Sequence, residues 1–214
     1  MKIKFQSNVA YVEFCNEISL ECNQLVHAMD KALSEESPDW LIESIPSYST
    51  LAVEFDPRLA TKKTVEKKLL LLHSSLAGFK GRQELHPIRL PVMYGGENGP
   101  DIDSVSSITG LSYKEIIAIH TGRVYTCYML GFTPGFVYLG DLDPLLAVPR
   151  LDTPRLNVPE GSVAIAARQT GIYGIAGPGG WRVIGRLQIK HFDLKKSQPS
   201  MIRPGDKVAF YEVK

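Results

Sequence analysis

Trp40-Leu-Ile-Glu-Ser-Ile45 and Thr50-Leu-Ala-Val-Glu-Phe55 are two short β-rich runs joined by Pro46-Ser-Tyr-Ser49. A proline followed by small polar residues between two such runs reads as a hairpin connection. Upstream, Ile18, Cys22, Leu25, Val26, Met29 and Leu33 recur at helical spacing, and before them Asn8-Val-Ala-Tyr-Val-Glu-Phe14 reads as a strand. Downstream, a second helix carries Val65, Leu69, Leu72 and Leu76 and ends near Gly78.

A further strand around Ile88-Arg-Leu-Pro-Val-Met93 completes the order β-α-β-β-α-β, the ferredoxin-like arrangement in which one sheet face lies under two helices. Tyr94-Gly-Gly-Glu-Asn-Gly-Pro-Asp101 then breaks the periodicity, so a domain boundary is expected there, giving 1–93 and 94–214. Two short helices lead the second domain. One starts near Pro100-Asp101 and stops before Gly110; the other has Ser112 and Glu115 spaced as a capping box and ends near Gly122, with His120 in its last turn. From Arg123 the chain turns to short strands at 124–130, 162–166, 181–184, 188–192 and 207–213, a compact β-barrel or sandwich. The fold class is therefore α+β.

The 214 residues are 44% hydrophobic with a formal net charge of +1, the profile of a globular protein able to build its core without staples. Near-zero charge spread over both halves argues against nucleic-acid binding, which concentrates Lys and Arg on one face. There is no apolar leader after Met1-Lys-Ile-Lys-Phe5 and no run of about 18 apolar residues, so no membrane span is expected. Cys15, Cys22 and Cys127 lack metal-ligand spacing, and free thiols in a reducing cytoplasm are expected, with no metal site.

Nine of the 14 prolines lie between Pro100 and Pro204, mostly in the aperiodic stretches 131–160 and 171–180, where long loops are commonly functional. Pro149-Arg150 and Pro154-Arg155 present two stiffened guanidinium forks, suited either to bidentate capture of carboxylate or phosphate or to loop-stabilising hydrogen bonds. Ala176-Gly-Pro-Gly-Gly-Trp181 either brings backbone N–H groups to a ligand or simply turns the chain. The 94–101 segment offers a similar anion cradle, but no P-loop or dinucleotide-binding glycine pattern occurs. His27, His73 and His86 are expected in structural or solvated roles; His120 is a proton donor, acceptor or structural hydrogen-bonding group. Ser162 and Cys127 lack the surroundings of a nucleophile.

Leu90-Pro-Val-Met-Tyr-Gly-Gly-Glu-Asn-Gly-Pro-Asp101, His120, Leu130-Gly-Phe-Thr-Pro-Gly-Phe-Val-Tyr-Leu139, Val148-Pro-Arg-Leu-Asp-Thr-Pro-Arg-Leu-Asn-Val-Pro-Glu-Gly-Ser162, Gln169-Thr-Gly-Ile-Tyr173 and Pro178-Gly-Gly-Trp181 together resemble the family of the 5-oxoprolinase B subunit, also called the allophanate hydrolase subunit 1 or kinase-A-inhibitor-like family. The resemblance extends over nearly the whole chain. It departs at Phe14-Cys15, where family members commonly read Phe-Gly, and at Tyr173-Gly174, where many read Tyr-Pro.

The resemblance implies a ferredoxin-like domain followed by a cyclophilin-like β-barrel. It also implies one component of an ATP-dependent 5-oxoprolinase, with Mg, hydrolysing 5-oxo-L-proline to L-glutamate. A carboxyltransferase-like partner of the C type and a lactam-binding partner of the A type complete the enzyme, and this chain is expected to be inactive alone. His120, Arg150, Arg155 and Tyr173 are the catalytic candidates. Phe132, Pro134, Phe136, Pro149, Gln169, Gly179, Gly180 and Trp181 are the substrate-binding candidates, and the Gly177–Gly180 turn is a candidate donor to phosphate. The alternative is an inhibitor that docks its barrel on a sensor histidine kinase; prolyl isomerisation and biotin-dependent urea or allophanate chemistry have weaker support.

Overall fold

The computed structural model describes residues 1–17, 19–76 and 86–214, and the chain divides into two compact units, Met1–Gln83 and Glu84–Lys214. Ile18 and Gly78, expected within the first helix and at the end of the second, lie outside the described residues.

The first unit runs β1 (Lys2–Gln6), β2 (Val9–Glu13), α1 (Leu20–Glu36), β3 (Leu41–Pro46), β4 (Thr50–Phe55) and α2 (Lys62–Ser75). The sheet order is β1-β2-β4-β3, every pair antiparallel. Both helices start at side-chain caps: Ser19 accepts from the Cys22 N–H and Thr61 from the Thr64 N–H. Val26, Met29 and Leu33 of α1 and Val65, Leu69 and Leu72 of α2 pack with Ala10, Val12, Leu51, Val53 and Phe55, the alternate positions of the two central strands.

The helices and the 41–46/50–55 hairpin lie where the sequence puts them, but the ferredoxin-like order is not what forms. The fourth strand of this sheet is Lys2–Gln6, whose charged and apolar residues alternate as suits a sheet edge. The strand at 88–94 pairs elsewhere. Cys15 and Cys22 are joined by a disulfide across the turn into α1, which corrects the expectation of three free thiols. Their Cα atoms are 6.1 Å apart, inside the span a disulfide bridges. That proximity is set by the turn and cannot be read from a seven-residue spacing. Cys127 is free and buried.

The second unit opens with β5 (Ile88–Tyr94), so the division expected at 93/94 moves upstream by about one strand. Leu90, Pro91 and Val92 are buried in succession, the mark of a strand covered on both faces. Then come α3 (Ile102–Thr109), α4 (Tyr113–Thr121), β6 (Val124–Leu130), β7 (Val137–Gly140), β8 (Arg155–Val158), β9 (Ser162–Ala166), β10 (Gln169–Ile172), β11 (Gly177–Gly179), β12 (Arg182–Leu187) and β13 (Lys207–Glu212). Seven strands close into a barrel in the order β10-β7-β6-β13-β5-β12-β9, settling barrel against sandwich. Leu90, Val92, Val137, Leu139, Val163 and Ile165 are among the residues of its core. The expected capping box of Ser112 and Glu115 forms at α4.

Two expectations fail here. Residues 188–192 form no strand, only a single bridge between Phe192 and Ser200. The stretches 131–160 and 171–180 are not loops throughout: they contain β7, β8 and β11, the last two paired as a separate ribbon. No helix among the described residues is long and apolar enough to cross a membrane.

Candidate functional site

Alternation along the barrel strands turns a second set of side chains away from the core. Tyr138, Ala164, Ala166 and Val183 belong to this outer set and, with Phe136, Val158, Tyr173 and Trp181, form a separate cluster. Small Ala164 and Ala166 leave a floor on which aromatic rings stand. Phe136 meets Tyr173 edge-on at 4.9 Å between ring centroids and Trp181 at 5.6 Å, and lies 4.6 Å from Tyr138. Phe132, 66% exposed, forms the rim 6.0 Å from Phe136. Its φ of 68° puts a bulky side chain in the left-handed region, a strained conformation of the kind concentrated at functional sites.

Arg150 stands over this floor because its neighbours are pinned. Arg182 Nε donates to the Pro149 carbonyl at 3.0 Å, and the Leu151 N–H donates to the Gly180 carbonyl at 2.8 Å. Arg182 is itself held by a 2.9 Å bond to Ser104 Oγ. The Arg150 guanidinium lies 6.0 Å from the Trp181 ring and has no hydrogen-bond or ion-pair partner among the described residues. Burial raises the Tyr138 and Tyr173 phenols above their ordinary value, against the opposing pull of Arg150 and, at Tyr173, a hydrogen bond from the Trp181 backbone. Both therefore stay protonated near neutral pH. Gly179 is required where it is, since a Cβ there would sit 2.0 Å from the Tyr173 hydroxyl.

Arg155 does not share the freedom of Arg150. Both its terminal nitrogens donate to Asp101, each at 2.7 Å, and Asp101 also accepts the Val183 N–H at 2.7 Å. Asp101 is 5% exposed. The fork expected to meet substrate is occupied within the chain, fastening the start of α3 to β8 and β12.

His120 is likewise engaged within the chain. It is fully buried, with Nδ1 at 2.7 Å from the Tyr94 hydroxyl and Nε2 at 2.9 Å from Thr170 Oγ1. The Thr170 hydroxyl donates to the Ala164 carbonyl, so it accepts from Nε2–H, and Nδ1 accepts from Tyr94. The ring stacks on Phe210 at 4.7 Å. Burial holds the imidazole down at about 3, so it stays neutral. Both ring nitrogens are thus engaged within the chain, the arrangement that the structural of the two expectations for His120 describes.

The glycine segments also differ from expectation. Gly177 and Gly179 pair with β8, and the 94–101 segment spends its Gly95, Asn98 and Gly99 N–H groups on carbonyls of Ile184 and Gly95, so neither is an open anion cradle. Gln169 lies opposite Ala166 in the β10–β9 ladder, which places it on the outer face. Phe132, Phe136, Tyr173, Trp181 and Arg150 are brought together in one aromatic cluster on the outer face; Pro134 and Pro149 are exposed. Sequence reasoning missed Tyr138, whose position two residues after Phe136 on an alternating strand was the available signal. It also missed Asp101 and Arg182, whose partners are 54 and 33 residues away.

The family model for the carboxyltransferase domain, subdomain C and D, matches residues 2–202. The B subunit of 5-oxoprolinase from Bacillus subtilis (strain 168) is 36% identical over 216 residues, covering 94% of this chain and 88% of that protein. The crystal structure of TTHA0988 matches with a TM-score of 0.84 at 34% identity, covering 96% of this chain and 40% of that one, so this chain spans about two fifths of that polypeptide. The conserved uncharacterized protein PH0987 from Pyrococcus horikoshii is 44% identical, with 100% and 98% of the two chains covered and a TM-score of 0.59.

Proposed function

Because the chain belongs to the family of the carboxyltransferase domain, subdomain C and D, we propose that it is one component of an ATP-dependent 5-oxoprolinase that hydrolyses 5-oxo-L-proline to L-glutamate. It acts with a carboxyltransferase-like partner of the C type and a lactam-binding partner of the A type. The name of the Bacillus subtilis relative supports the reading. The observation that carries it is the pinned, unpartnered Arg150 guanidinium above an aromatic floor.

A five-membered lactam acid has a flat apolar edge, a carboxylate and an amide. Phe136, Tyr138 and Trp181 suit the ring, and the Arg150 fork suits the carboxylate or the negative charge carried by the activated carbonyl oxygen. Protonated Tyr138 and Tyr173 supply donors beside it. ATP makes this unfavourable opening downhill by phosphorylating the carbonyl oxygen, with ADP as the product. A first water adds to the activated carbon and the ring C–N bond breaks, leaving an acyl phosphate and an amine that takes up protons to become an ammonium; a second water then releases inorganic phosphate and completes the carboxylate. The donor set of this groove, one free guanidinium with phenols, fits the lactam better than a nucleotide with Mg, and we assign the nucleotide to the partner proteins.

A second reading rests on Phe132. An aromatic ring standing largely in solvent beside Phe136 and Trp181 suits a proline-bearing segment of another protein, as in inhibition of a sensor histidine kinase. Glutamate release from 5-oxoproline, measured with all three components and with this chain omitted or carrying Arg150→Ala, separates the two. Omission is expected to abolish release, and Arg150→Ala to lower it about 100-fold. Release that is indifferent to both overturns the enzymatic reading.

A further inference from the structure

A cavity of about 310 Å³ opens in the barrel unit beside residues 186–192, a size at the low end for small-molecule sites. Glu160, Gly174, Arg186, Gln188, Lys190 and His191 contribute to its wall. None of them belongs to the aromatic groove.

Two polar side chains of this wall keep hydrogen-bonding capacity unused among the described residues. Arg186 Nε donates to the Glu160 carbonyl at 3.0 Å, which fixes the fork and leaves its two terminal nitrogens without partners among the described residues. His191 is 3% exposed, and its Nε2 lies 3.1 Å from the Gly135 carbonyl. A carbonyl only accepts, so the hydrogen is on Nε2 and Nδ1 presents a lone pair. That nitrogen has no partner among the described residues. Burial lowers the affinity of the ring for a second proton more than the hydrogen bond to the Gly135 carbonyl and the nearby Glu160 raise it, so the lone pair persists near neutral pH. Lys190 and the Glu160 carboxylate complete the set, both exposed.

Two cations, one carboxylate and one acceptor nitrogen complement a solute with two carboxylates and one ammonium. We propose that this cavity binds a free acidic α-amino acid, with Arg186 and Lys190 on its carboxylates and Glu160 and His191 Nδ1 on its ammonium group.

The cavity shares a wall with the groove. Gly135, whose carbonyl His191 holds, lies in the turn carrying Phe132 and Phe136, and a Cβ on Gly174 would meet the Gly135 backbone at 2.4 Å. A ligand that orders His191 therefore also steadies the rim of the groove. Resting on the proposed reaction, this makes the cavity a place where released glutamate is sensed.

Calorimetric titration of the chain alone, without partners or ATP, tests the binding independently of whether the reaction is correctly assigned. L-Glutamate is expected to bind about tenfold tighter than glutarate, which lacks the ammonium, and than inorganic phosphate or 5-oxo-L-proline. Glu160→Gln and Lys190→Gln, both at exposed positions, are each expected to weaken it about fivefold or more while leaving the thermal midpoint in place. No heat with L-glutamate, equal binding of glutarate, or undiminished binding in both variants each overturns the proposal. Binding that persists when the reconstituted complex shows no lactam hydrolysis would leave the site intact and refute only its sensing role.

Discussion

Arg150 and Arg155 sit five residues apart in near-identical Pro-Arg contexts, yet replacing them by methionine should affect stability very unequally. Arg155→Met removes two charge-assisted bonds of 2.7 Å and leaves the Asp101 carboxylate, 7% exposed, with only the Val183 N–H. Breaking a buried pair costs about 3–5 kcal/mol. The Arg155 side chain is 33% exposed, so water screens part of the interaction and about 2–3 kcal/mol is the working figure. At about 2–4 °C per kcal/mol this lowers the thermal midpoint of the barrel by about 4–12 °C. Arg150→Met removes a guanidinium with no hydrogen bond to lose and should stay within about 0.5 kcal/mol. Urea unfolding followed by Trp181 fluorescence in a Trp40→Phe background isolates the barrel unit. Adding Asp101→Asn to Arg155→Met should recover part of the loss, since no charge is then stranded. An Arg155→Met midpoint indistinguishable from that of Arg150→Met refutes the account of both residues.

Three further outcomes follow from the geometry. Reducing Cys15–Cys22, or substituting Cys15→Ser, frees a loop of about eight residues in the unfolded chain and should lower the stability of the first unit by about 2 kcal/mol, read from Trp40 fluorescence in urea. His120 titrates near 6.5 unfolded but at about 3 folded, so its contribution is complete above pH 6.5 and drains as the unfolded chain takes up the proton that the folded one refuses. Barrel stability should therefore fall by about 2 kcal/mol between pH 6.5 and 5, with His191 adding in the same direction; a matching fall in His120→Gln would remove burial of this ring as the cause. Gly179→Ala forces the Tyr173 hydroxyl aside, and reconstituted lactam hydrolysis should drop at least tenfold with the far-ultraviolet circular dichroism unchanged; full activity would take Tyr173 out of the groove.

Periodicity made much of the fold legible. Thr50–Phe55 and Ser162–Ala166 are strands over the expected residues, and the Ser112–Glu115 pair caps its helix as its spacing requires. What periodicity cannot supply is partnership. The strand at 88–94 looks the same locally whichever sheet receives it, and it joined β12 and β13, more than ninety residues ahead, rather than the nearer hairpin. The free thiols failed for a related reason: a turn brings Cys15 to Cys22, and turn geometry at a Phe-Cys step carries no strong local signal.

The same limit divides the two arginines and the histidine. The family resemblance named Phe132, Phe136, Tyr173, Trp181 and Arg150 as site candidates together with Arg155 and His120, and the outer face of the barrel assembles the first five. Only the tertiary structure distinguished Arg150 from Arg155, because a guanidinium is a ligand-binding group or a structural one according to whether a carboxylate such as Asp101, 54 residues distant, reaches it first. Only the tertiary structure enclosed His120 between Tyr94, Thr170 and Phe210. Residue type and local period are properties of the chain, set by dihedral preference and side-chain chemistry; burial and partnership are properties of the closed barrel, and they decide which polar groups remain free to act.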